Sequence, residues 1–562
     1  MKYNISNIKR KSMWGAMIVS FFVLHSSLFT LSSCSDTWDD HYPTEQTNGT
    51  ESLLKLIEAN PQLSDFLKVA KATHLYNNMH STPVTYADLL DADQALTVWA
   101  PVNGTFNVDS LLDLCKTAKG DSLVGQQFVG NHIAHNIYNV NSQTDKSVKM
   151  FNDKLMSITP QSFSTSKLIS GQFNTPALNG LLHVIDNRAP FAYNIYEALT
   201  CLDEFKHIGD FLTSFEKQEL DEDRSIVAGI EDGQKVYSDS VMIRKNILFR
   251  EIDDIISEDS AFTMLVPSRE MWNAAVEEAA PYFNYSTYAK GDSIQRYWMN
   301  ISLVQDLIYN QRMQRSLQDS VFTTSYSRYK WPYHVYYKPF EEGGILHASN
   351  IKDSLACSNG VFYRLAKWPF KKEDLYFKPI TTQTMMETVF EDNSLCTYNS
   401  RTAIGDSISD NNYLDIVPKN STSNWKTTFK IWDTLSGTYD VYAVILPKTV
   451  ANAFTRDFKP NQFKATVMYL DENGREISVK SESDNAGKLN NDPYKVDTVY
   501  LATVSLPICA YAQTEAQVRV QLECSMTSRE TKFSREMYLD CIYMKPSERK
   551  ENSAIARKED KK

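Results

Sequence analysis

A chain of 562 residues is long enough for roughly three or four domains of ordinary size. Apolar residues make up 42% of it and charged residues 23%, a balance typical of globular proteins with several hydrophobic cores rather than of disordered or fibrous chains. The net charge of −11 argues against nucleic acid as a partner, because the chain has no basic field to neutralise phosphates.

The first 33 residues have the layout of a signal peptide. A basic stretch at Lys9–Lys11 precedes a short apolar run, Met13–Leu24, which is too short to span a bilayer comfortably. The segment ends at Leu31-Ser-Ser-Cys34, which resembles the bacterial lipobox and implies that Cys34 carries lipid. Each buried lipid methylene adds about 0.8 kcal/mol of membrane affinity, so this lipid would anchor the chain.

Residues 34–49 are polar and predict a tether between the lipid and the first domain. The tether begins with Ser35, followed closely by three aspartates. This acidic start resembles the surface-export signal of Bacteroidetes lipoproteins. The resemblance implies a lipid-anchored protein of the outer membrane that faces the cell exterior.

A buried strand is predicted early in the next segment. Leu96–Ala100 is apolar throughout, and Pro101 ends the strand because proline cannot donate a ladder hydrogen bond. Either Asn103 or Thr105 can then cap a short helix that buries Phe106.

A second apolar strand is predicted about eighty residues later. It opens with Asn179-Gly180, the strongest two-residue hairpin signal, and runs through His183 to Asp186. Between the two strands, the stretch F-V-G-N-H-I contains His132. These three motifs in this order resemble the fasciclin (FAS1) domain, an adhesion and binding fold of mixed α/β type. The resemblance implies structural roles for the motif residues, with the histidines satisfying buried polar groups.

The FAS1-like pattern occurs twice. The first copy is predicted to span 50–190, and a divergent second copy with an insertion is predicted for 191–371. In the second copy, Val266-Pro267 repeats the strand end and Asn359-Gly360 repeats the closing hairpin. Tyr363 replaces the closing histidine, and the acidic residue is missing.

From 385 to 547 the hydrophobic period changes from helical to two. Apolar and polar residues alternate over Val518–Cys524, and Asp471–Gly474 predicts a turn between two strands. Many antiparallel strands with turn signals predict a β-sandwich, which faintly resembles jelly-roll, galactose-binding-like modules. Residues 548–562 form a charged tail. The predicted fold class is therefore α+β: two FAS1-like domains followed by an antiparallel β-sandwich.

No pattern in the sequence predicts a catalytic centre, a metal site or a cofactor. His132 and His135 are three residues apart without an intervening glutamate, so they do not match the zincin motif. Apart from Cys34, seven cysteines are dispersed without paired spacing. Cys524 and Cys541 lie on predicted neighbouring strands and could pair, but buried free thiols are the better interpretation.

A dense run of aromatic and basic residues inside the second copy is the predicted ligand surface. Aromatic rings stack on the C–H faces of sugars, while basic side chains donate to hydroxyl groups. The candidate residues are Tyr326, Arg328, Tyr329, Trp331, Tyr333, His334, Tyr336 and Tyr337. The alternative is a strand with one core-facing side, because aromatic residues are enriched in strands in any case.

Taken together, these features predict a non-enzymatic binding or adhesion protein of the cell surface. Extracellular glycan and partner proteins are the two expected kinds of ligand. The Bacteroidetes resemblance implies an accessory subunit of a nutrient-uptake complex built on a SusC/SusD-like, TonB-dependent transporter. Two alternatives stay open: a polysaccharide hydrolase with its site in the sandwich, and a purely adhesive or structural spacer.

Overall fold

A computed structural model of the chain describes residues 49–77, 80–223, 225–231, 233–309, 320–322, 335–384, 395–403, 405 and 408–549. The chain divides into two compact units. One comprises the residues up to Ala192 together with Asp221–Met242, and the other comprises Tyr193–Leu220 together with the chain from Ile243. Within the described ranges, no helix has both the length and the apolar character needed to cross a membrane.

The first unit contains the first predicted copy. Its helices and strands are, in order, α1 (Leu53–Ala59), α2 (Ser64–Ala72), β1 (His74–Asn77), β2 (His80–Thr85), α3 (Tyr86–Asp91), β3 (Leu96–Pro101), α4 (Val108–Leu114), α5 (Ala118–Val124), β4 (Ile133–His135), β5 (Lys146–Lys149), β6 (Leu155–Ile158), β7 (Ser162–Phe163), β8 (Ser166–Lys167), β9 (Thr175–Ala177) and β10 (Gly180–Ile185).

A four-stranded sheet with the order β4-β3-β10-β9 forms the centre of this copy. Strands β3 and β10 are parallel, with Leu96 opposite Gly180 and Pro101 opposite Ile185, and both strands are buried along their whole length. One side of β3 packs against the helices, and Trp99 on the other side packs toward the β5-β6-β7-β8 sheet. Layers on both faces explain why the two strands are apolar without alternation.

Asn103 caps a helix other than the expected one. Its side-chain carbonyl accepts from the backbone N–H of Asp65 at 2.9 Å, and its amide donates to the carbonyl of Pro61 at 2.8 Å. Asn103 therefore supplies a hydrogen-bond acceptor for a free backbone N–H in the first turn of α2, a helix whose own N-cap residue makes no side-chain hydrogen bond. The helix after β3, α4, is capped by Asn107, which accepts from the backbone N–H of Ser110. Phe106 is half-buried, with its ring centroid 4.6 Å from that of Phe128.

The closing hairpin also differs in detail from the prediction. Ala177 pairs with Gly180, so the two turn residues are Leu178 and Asn179, and Gly180 is already the first residue of β10. Asn179 instead uses its side chain to hold three backbone groups. It accepts from the N–H of Leu53 at 2.8 Å and donates to the carbonyls of Leu90 and Ala92 at 3.0 and 2.7 Å.

The second unit begins with the second predicted copy. Together with the β12–β13 hairpin, which belongs to the first unit, the elements are α6 (Ile195–Cys201), α7 (Lys206–Thr213), β11 (Glu216–Leu220), β12 (Ile226–Glu231), β13 (Gln234–Asp239), β14 (Met242–Asn246), α8 (Phe249–Ile252), β15 (Phe262–Val266), α9 (Arg269–Ala279), α10 (Gly291–Val304), β16 (Ile308–Tyr309), β17 (Ser320–Phe322), β18 (Val335–Tyr337), β19 (Ile351–Cys357), β20 (Gly360–Leu365) and α11 (Lys372–Leu375).

The central sheet of the first copy recurs here with the order β16-β15-β20-β19. Strands β15 and β20 are parallel, and Phe262 lies opposite Gly360 as Leu96 lies opposite Gly180. Asn359 repeats the side-chain bonds of Asn179. It accepts from the N–H of Ile195 at 2.9 Å and donates to the carbonyls of Ile255 and Ser257 at 3.0 and 2.9 Å. We call these two parts of the chain the first and second repeats.

The rest of the second unit is built from strands. They are β21 (Ile380–Gln383), β22 (Cys396–Thr402), β23 (Asn412–Pro418), β24 (Lys426–Ile431), β25 (Gly437–Ile445), β26 (Gln462–Leu470), β27 (Glu476–Lys480), β28 (Leu489–Asn490), β29 (Asp497–Leu506), β30 (Val518–Cys524) and β31 (Met537–Pro546).

These strands form two antiparallel sheets that pack face to face, and we call this part the sandwich. The six-stranded sheet has the order β22-β23-β31-β25-β29, with β21 also paired to β31; the other has the order β24-β30-β26-β27, with β28 paired to β26. The hairpin predicted around Asp471–Gly474 is present between β26 and β27. The alternation predicted for Val518–Cys524 is confirmed, since every second side chain of β30 is buried.

All seven cysteines from Cys115 onward are free thiols, and Cys524 and Cys541 lie in different sheets.

The sandwich and the second repeat share one continuous hydrophobic core. Asn284 lies between them. Its side-chain amide donates to the carbonyl of Pro507, and its backbone carbonyl accepts from the N–H of Cys509, both at 2.8 Å. Tyr285 is fully buried, and its hydroxyl donates to the carbonyl of Tyr511 at 2.9 Å. The predicted domain boundaries at 190, 371 and 385 remain predictions.

Candidate functional site

His132 of the F-V-G-N-H-I stretch lies in the interior of the first repeat. Its Nδ1 donates to the carbonyl of Phe128 at 2.7 Å, and its Nε2 accepts from the N–H of Ala189 at 3.0 Å. Burial lowers the pKa of His132 to about 4. Both ring nitrogens are therefore used within the fold by a neutral imidazole, and neither is directed to a ligand.

His183 is also buried. Its ring stacks on Trp99 with centroids 5.4 Å apart, and Trp99 stacks on Phe163 at 4.6 Å. The Nε2 of His183 lies 3.1 Å from the carbonyl of Tyr138, and its Nδ1 accepts from the N–H of Asn174 at 3.2 Å. Burial lowers the pKa of this histidine to about 4 as well.

Asp186 follows β10 and is exposed. Its carboxylate accepts from the N–H of Lys167 at 2.8 Å, and its own N–H donates to the Lys167 carbonyl at 2.9 Å. This reciprocal pair joins the end of β10 to β8. The polar motif residues of the first repeat thus form hydrogen bonds with backbone groups of the fold rather than lining an open site.

Most of the predicted ligand surface lies outside the described residues, namely Tyr326, Arg328, Tyr329, Trp331, Tyr333 and His334, and so does the predicted lipid site Cys34. The two described members of that surface differ from each other. The hydroxyl of Tyr336 donates to the carboxylate of Asp306 at 2.8 Å, and its ring packs near Phe370. Burial raises the pKa of Asp306 to about 7. Tyr337 is 74% exposed.

A second aromatic surface lies on the outer side of the six-stranded sheet. The core contains Tyr439, Val441 and Ala443 of β25, so the alternate residues of that strand point away from the core. Tyr442 is one of them, and its ring lies 5.7 Å from that of Tyr500 and 6.1 Å from that of Tyr543.

The register explains why these rings meet. Tyr442 is the pairing partner of both Tyr500 on β29 and Tyr543 on β31, so three tyrosines lie side by side across three strands. All three are half-buried rather than enclosed. We call Tyr442, Tyr500 and Tyr543 the tyrosine face.

Charged and hydroxyl groups adjoin the tyrosine face. Thr503 donates to the carboxylate of Asp440 at 2.6 Å, and the hydroxyl of Tyr500 lies 2.7 Å from Thr503 Oγ1. Because Thr503 donates its one hydroxyl hydrogen to Asp440, the hydroxyl of Tyr500 must be the donor in the bond to Thr503. The guanidinium of Arg549 lies over the Tyr500 ring at 5.6 Å, and its Nε is 3.5 Å from Asp440.

A smaller aromatic pair occupies the same outer side on the neighbouring strands. Tyr413 and Tyr538 have ring centroids 5.3 Å apart, and Asp415 pairs with Tyr538 across β23 and β31. Arg401 reaches Asp415 at 3.3 Å. Burial raises the pKa of Asp415 and raises that of Tyr538 to about 12. Tyr413 and Asp415 are each only 5% exposed, so this cluster offers the Tyr538 ring and the Arg401 guanidinium to solvent rather than the carboxylate.

Such a surface can bind ligands that have both apolar faces and hydroxyl groups. Aromatic rings contribute flat contact area at little entropic cost. The exposed guanidinium of Arg549 can donate hydrogen bonds to a ligand, while the buried carboxylate of Asp440 bonds Thr503 and pairs with Arg549. Within the described ranges, no cluster of three or more histidine, cysteine, aspartate or glutamate residues is arranged to hold a metal ion.

The tyrosine face was not among the sites predicted from the sequence. A signal was available in the sequence. Tyr442 alternates with the apolar residues Val441 and Ala443 that face the core, and Tyr500 and Tyr543 also lie in predominantly apolar segments. That signal becomes useful only once the strands are known to be neighbours, since their order in the sheet is β31-β25-β29.

No protein-family model matches the chain, and neither does any curated protein. Among solved structures, the chain is similar to the FAS1 domain pair of the insect cell adhesion molecule fasciclin I. The identity is 13% and the TM-score 0.17, over 50% of this chain and 90% of that one. It is also similar to the CBM35 of Abf62 from Cellvibrio japonicus, with 12% identity and a TM-score of 0.17, over 30% of this chain and 92% of that one.

A third similar structure is xylanase 10B of Clostridium thermocellum, which contains CBM22-1 and GH10 modules and is complexed with xylohexaose. The identity is 11% and the TM-score 0.20; the match covers 30% of this chain but only 28% of that one. TM-scores this low carry no functional conclusion, so the proposals below rest on the residues and contacts of this chain.

Proposed function

We propose that this chain is a non-enzymatic protein of the cell surface that binds extracellular glycan through the tyrosine face of its sandwich. The observation that carries the proposal is the contact of three half-buried tyrosine rings beside Asp440 and Arg549. Aromatic rings suit the C–H faces of sugars, and paired donors and acceptors suit their hydroxyl groups.

The proposal includes both repeats as FAS1 domains with adhesive or scaffolding roles. It is supported by the motifs of the first repeat and by the recurrence of its register and of its asparagine bonds in the second. The sandwich is included as a module of the jelly-roll, galactose-binding-like kind. Its support is the face-to-face packing of two antiparallel sheets.

The proposed location is the outer membrane, with lipid on Cys34 and the chain facing the cell exterior. The proposed partner is a SusC/SusD-like, TonB-dependent transporter, to which this protein would be an accessory subunit that captures glycan. The support is the lipobox-like end of the signal peptide and the acidic residues that follow it.

Glycan binding is tested with Tyr442→Ala in the full-length protein. A glycan array identifies a ligand, and calorimetry then measures its affinity for wild type and variant. We expect Tyr442→Ala to weaken binding about tenfold or more, because the central ring of the tyrosine face is lost. The matched control is Tyr494→Ala, which removes a tyrosine that is 71% exposed and stacks on Phe458 elsewhere in the sandwich.

Two results would contradict glycan binding at this surface. One is that wild type binds no glycan on the array; the other is that Tyr442→Ala and Tyr494→Ala bind equally well. Circular dichroism of both variants shows whether the sandwich has kept its fold.

The transporter is tested by purifying the native lipoprotein from outer membranes in mild detergent and identifying the co-purifying proteins by mass spectrometry. A TonB-dependent transporter in stoichiometric amount is the expected result. Recovery of the lipoprotein alone would instead favour an independent adhesin.

A hydrolase is the second candidate, because the six-stranded sheet contains three buried carboxylates, those of Asp415, Asp440 and Asp540. Burial raises the pKa of Asp540 to about 6, as befits a general acid. Asp540 also accepts from the N–H of Ser409 at 3.0 Å, which gives it a structural role. A hydrolase would release shorter sugars from a bound glycan and would lose this turnover in Asp540→Asn.

A further inference from the structure

A pocket of about 600 Å³ lies where the second repeat meets the sandwich. Tyr282, Lys372 and Phe377 line it from the side of the second repeat, and Ser436 and Thr438 line it from the start of β25. The volume falls in the usual range for small-molecule sites. Both parts belong to the same compact unit and share one core.

The floor of this pocket is aromatic. The rings of Tyr282 and Phe377 have centroids 4.5 Å apart, and Phe377 also packs on Tyr439 at 5.1 Å. Gly437 allows this floor to form. Its φ is +138°, and a Cβ at this position would lie only 2.7 Å from Cζ of Phe377.

Polar groups occupy the walls. The ammonium of Lys372 lies 5.5 Å from the centroid of Tyr282 and 4.0 Å from the carboxylate of Glu373. Ser436 is buried in the wall, and among the described residues its hydroxyl has no hydrogen-bond partner. With Glu548 also lining the pocket, carboxylates outnumber ammonium groups there. This balance disfavours an anionic ligand and favours a neutral one that carries hydroxyl groups.

The pocket and the tyrosine face both border β25. Thr438, Asp440 and Tyr442 are alternate residues of β25 and point to the same side of the sheet. At about 3.4 Å per residue, Thr438 lies about 14 Å along the strand from Tyr442. Arg549, which lies over Tyr500, directly follows Glu548 of the pocket.

We propose that the pocket extends the glycan site, so that one neutral oligosaccharide runs from the tyrosine face along β25 to the second repeat. This inference rests on the proposed function and adds a second set of contacts to it. The second repeat thereby becomes part of the binding site, with Lys372 donating to sugar hydroxyls and Tyr282 contacting a sugar face.

The test compares ligands of different length on the full-length protein. Calorimetric titrations use the disaccharides and hexasaccharides of β-linked xylose, glucose and mannose. We expect wild type to bind the matching hexasaccharide more tightly than the disaccharide. Lys372→Ala should weaken hexasaccharide binding about tenfold, because a charged donor is lost, and should lower the ratio of hexasaccharide to disaccharide affinity.

The matched control is Lys371→Ala, since Lys371 is exposed and adjacent but does not line the pocket. Glu373→Gln is a second pocket variant that removes an acceptor charge with little change in shape. It should also lower the ratio of hexasaccharide to disaccharide affinity.

The outcomes separate this inference from the proposed function. If Tyr442→Ala weakens binding of both lengths while Lys372→Ala and Glu373→Gln leave the affinity ratio at the wild-type value, the extension is wrong and glycan binding at the tyrosine face stands. If wild type binds none of the six saccharides, glycan binding of this kind is wrong and the extension falls with it.

Discussion

At the scale of single residues, one asparagine fixes the closing hairpin in each repeat. Asn179 and Asn359 each accept from the first N–H of the helix that opens the repeat, and each donates to two backbone carbonyls. An apolar side chain there would leave several buried backbone groups without hydrogen bonds. The repetition of all three bonds indicates that this turn position requires asparagine for its side-chain bonds.

We expect Asn179→Ala to lower the free energy of unfolding of the first unit by at least about 2 kcal/mol, because each buried group left unsatisfied costs about 1–3 kcal/mol. Urea denaturation followed by circular dichroism measures the change. Asn187→Ala is the control, since Asn187 is exposed and its side chain accepts from the N–H of the adjacent Arg188. Equal stability of the two variants would contradict this role for Asn179.

The two buried histidines predict how stability depends on pH. Burial lowers the pKa of His132 and of His183 to about 4, whereas an unfolded chain takes up the same protons near pH 6.5. Between these values the unfolded state binds more protons than the folded state. Their contribution is therefore fully present above pH 6.5 and is lost as the pH falls toward 4.

We expect each histidine to add a slope of up to about 1.4 kcal/mol per pH unit to the stability of the first unit in this window. The double variant His132→Gln/His183→Gln is expected to be less stable at pH 7.5 but to show a shallower slope between pH 6.5 and 4. Urea unfolding at a series of pH values measures both. Parallel curves for variant and wild type would rule out these histidines as the source.

The second repeat provides a natural comparison for this pH dependence. By strand register, Leu307 takes the place of His132 and Tyr363 that of His183. Neither substitute is an imidazole. The same fold is thus built with and without buried imidazoles, which supports a packing role for them in the first repeat.

At the scale of elements, the parallel strands β3 and β10 come close enough to exclude a side chain. A Cβ on Gly180 would overlap the carbonyl oxygen of Leu96, and one on Gly360 would overlap that of Phe262 in the second repeat. The glycine of the Asn-Gly pair is therefore needed for the approach of two strands as much as for the turn.

We expect Gly180→Ala to destabilise the first unit by about 2–4 kcal/mol, because the clash is with rigid backbone rather than with a movable side chain. Thermal unfolding followed by circular dichroism detects this. Gly229→Ala is the control, since Gly229 is a strand glycine of the same unit with nothing within 4 Å of a Cβ. A shift in melting temperature no larger than that of the control would show that β3 and β10 can separate without cost.

Helices and strands could be predicted from the sequence where neighbouring residues along the chain determine them. Strand β3, the β26–β27 hairpin and the alternation of β30 follow from short runs of residues and were predicted. The cap of α2 was not, because Asn103 lies 38 residues beyond the N–H of Asp65 that it accepts from. Pairings over such distances depend on the finished fold.

The tyrosine face could not be predicted for a related reason. Tyrosine suits both sides of a strand, so Tyr439 in the core and Tyr442 outside it look alike in the sequence. The face exists only because β29 and β31 both pair with β25 in register, although β31 begins almost a hundred residues further along the chain. Dense local aromatic composition favoured 326–338 instead.

At the scale of the whole molecule, the second repeat and the sandwich form one core. Phe377 packs on both Tyr282 and Tyr439, and Trp298 of α10 packs edge-on against Tyr511 at 5.3 Å. A boundary with this much shared apolar area is expected to unfold cooperatively rather than as two independent domains. Period and composition change along the chain, but they do not reveal that two domains share a core.

Tyr285→Phe tests this coupling with the loss of one hydroxyl group. The buried bond to the carbonyl of Tyr511 is expected to contribute about 1 kcal/mol, and its loss should destabilise both sides of the junction together. Hydrogen exchange read by mass spectrometry follows β15 in the second repeat and β25 in the sandwich. Protection of both strands should fall by a similar factor.

Tyr494→Phe is the control, because it removes the same hydroxyl group from an exposed ring of the sandwich. It should leave protection in both strands unchanged. A loss confined to β15 in Tyr285→Phe would show that the sandwich is stable without the repeat. In that case the pocket between them would join two separate domains, and the glycan contacts proposed for Lys372 would depend on how firmly those domains are held together.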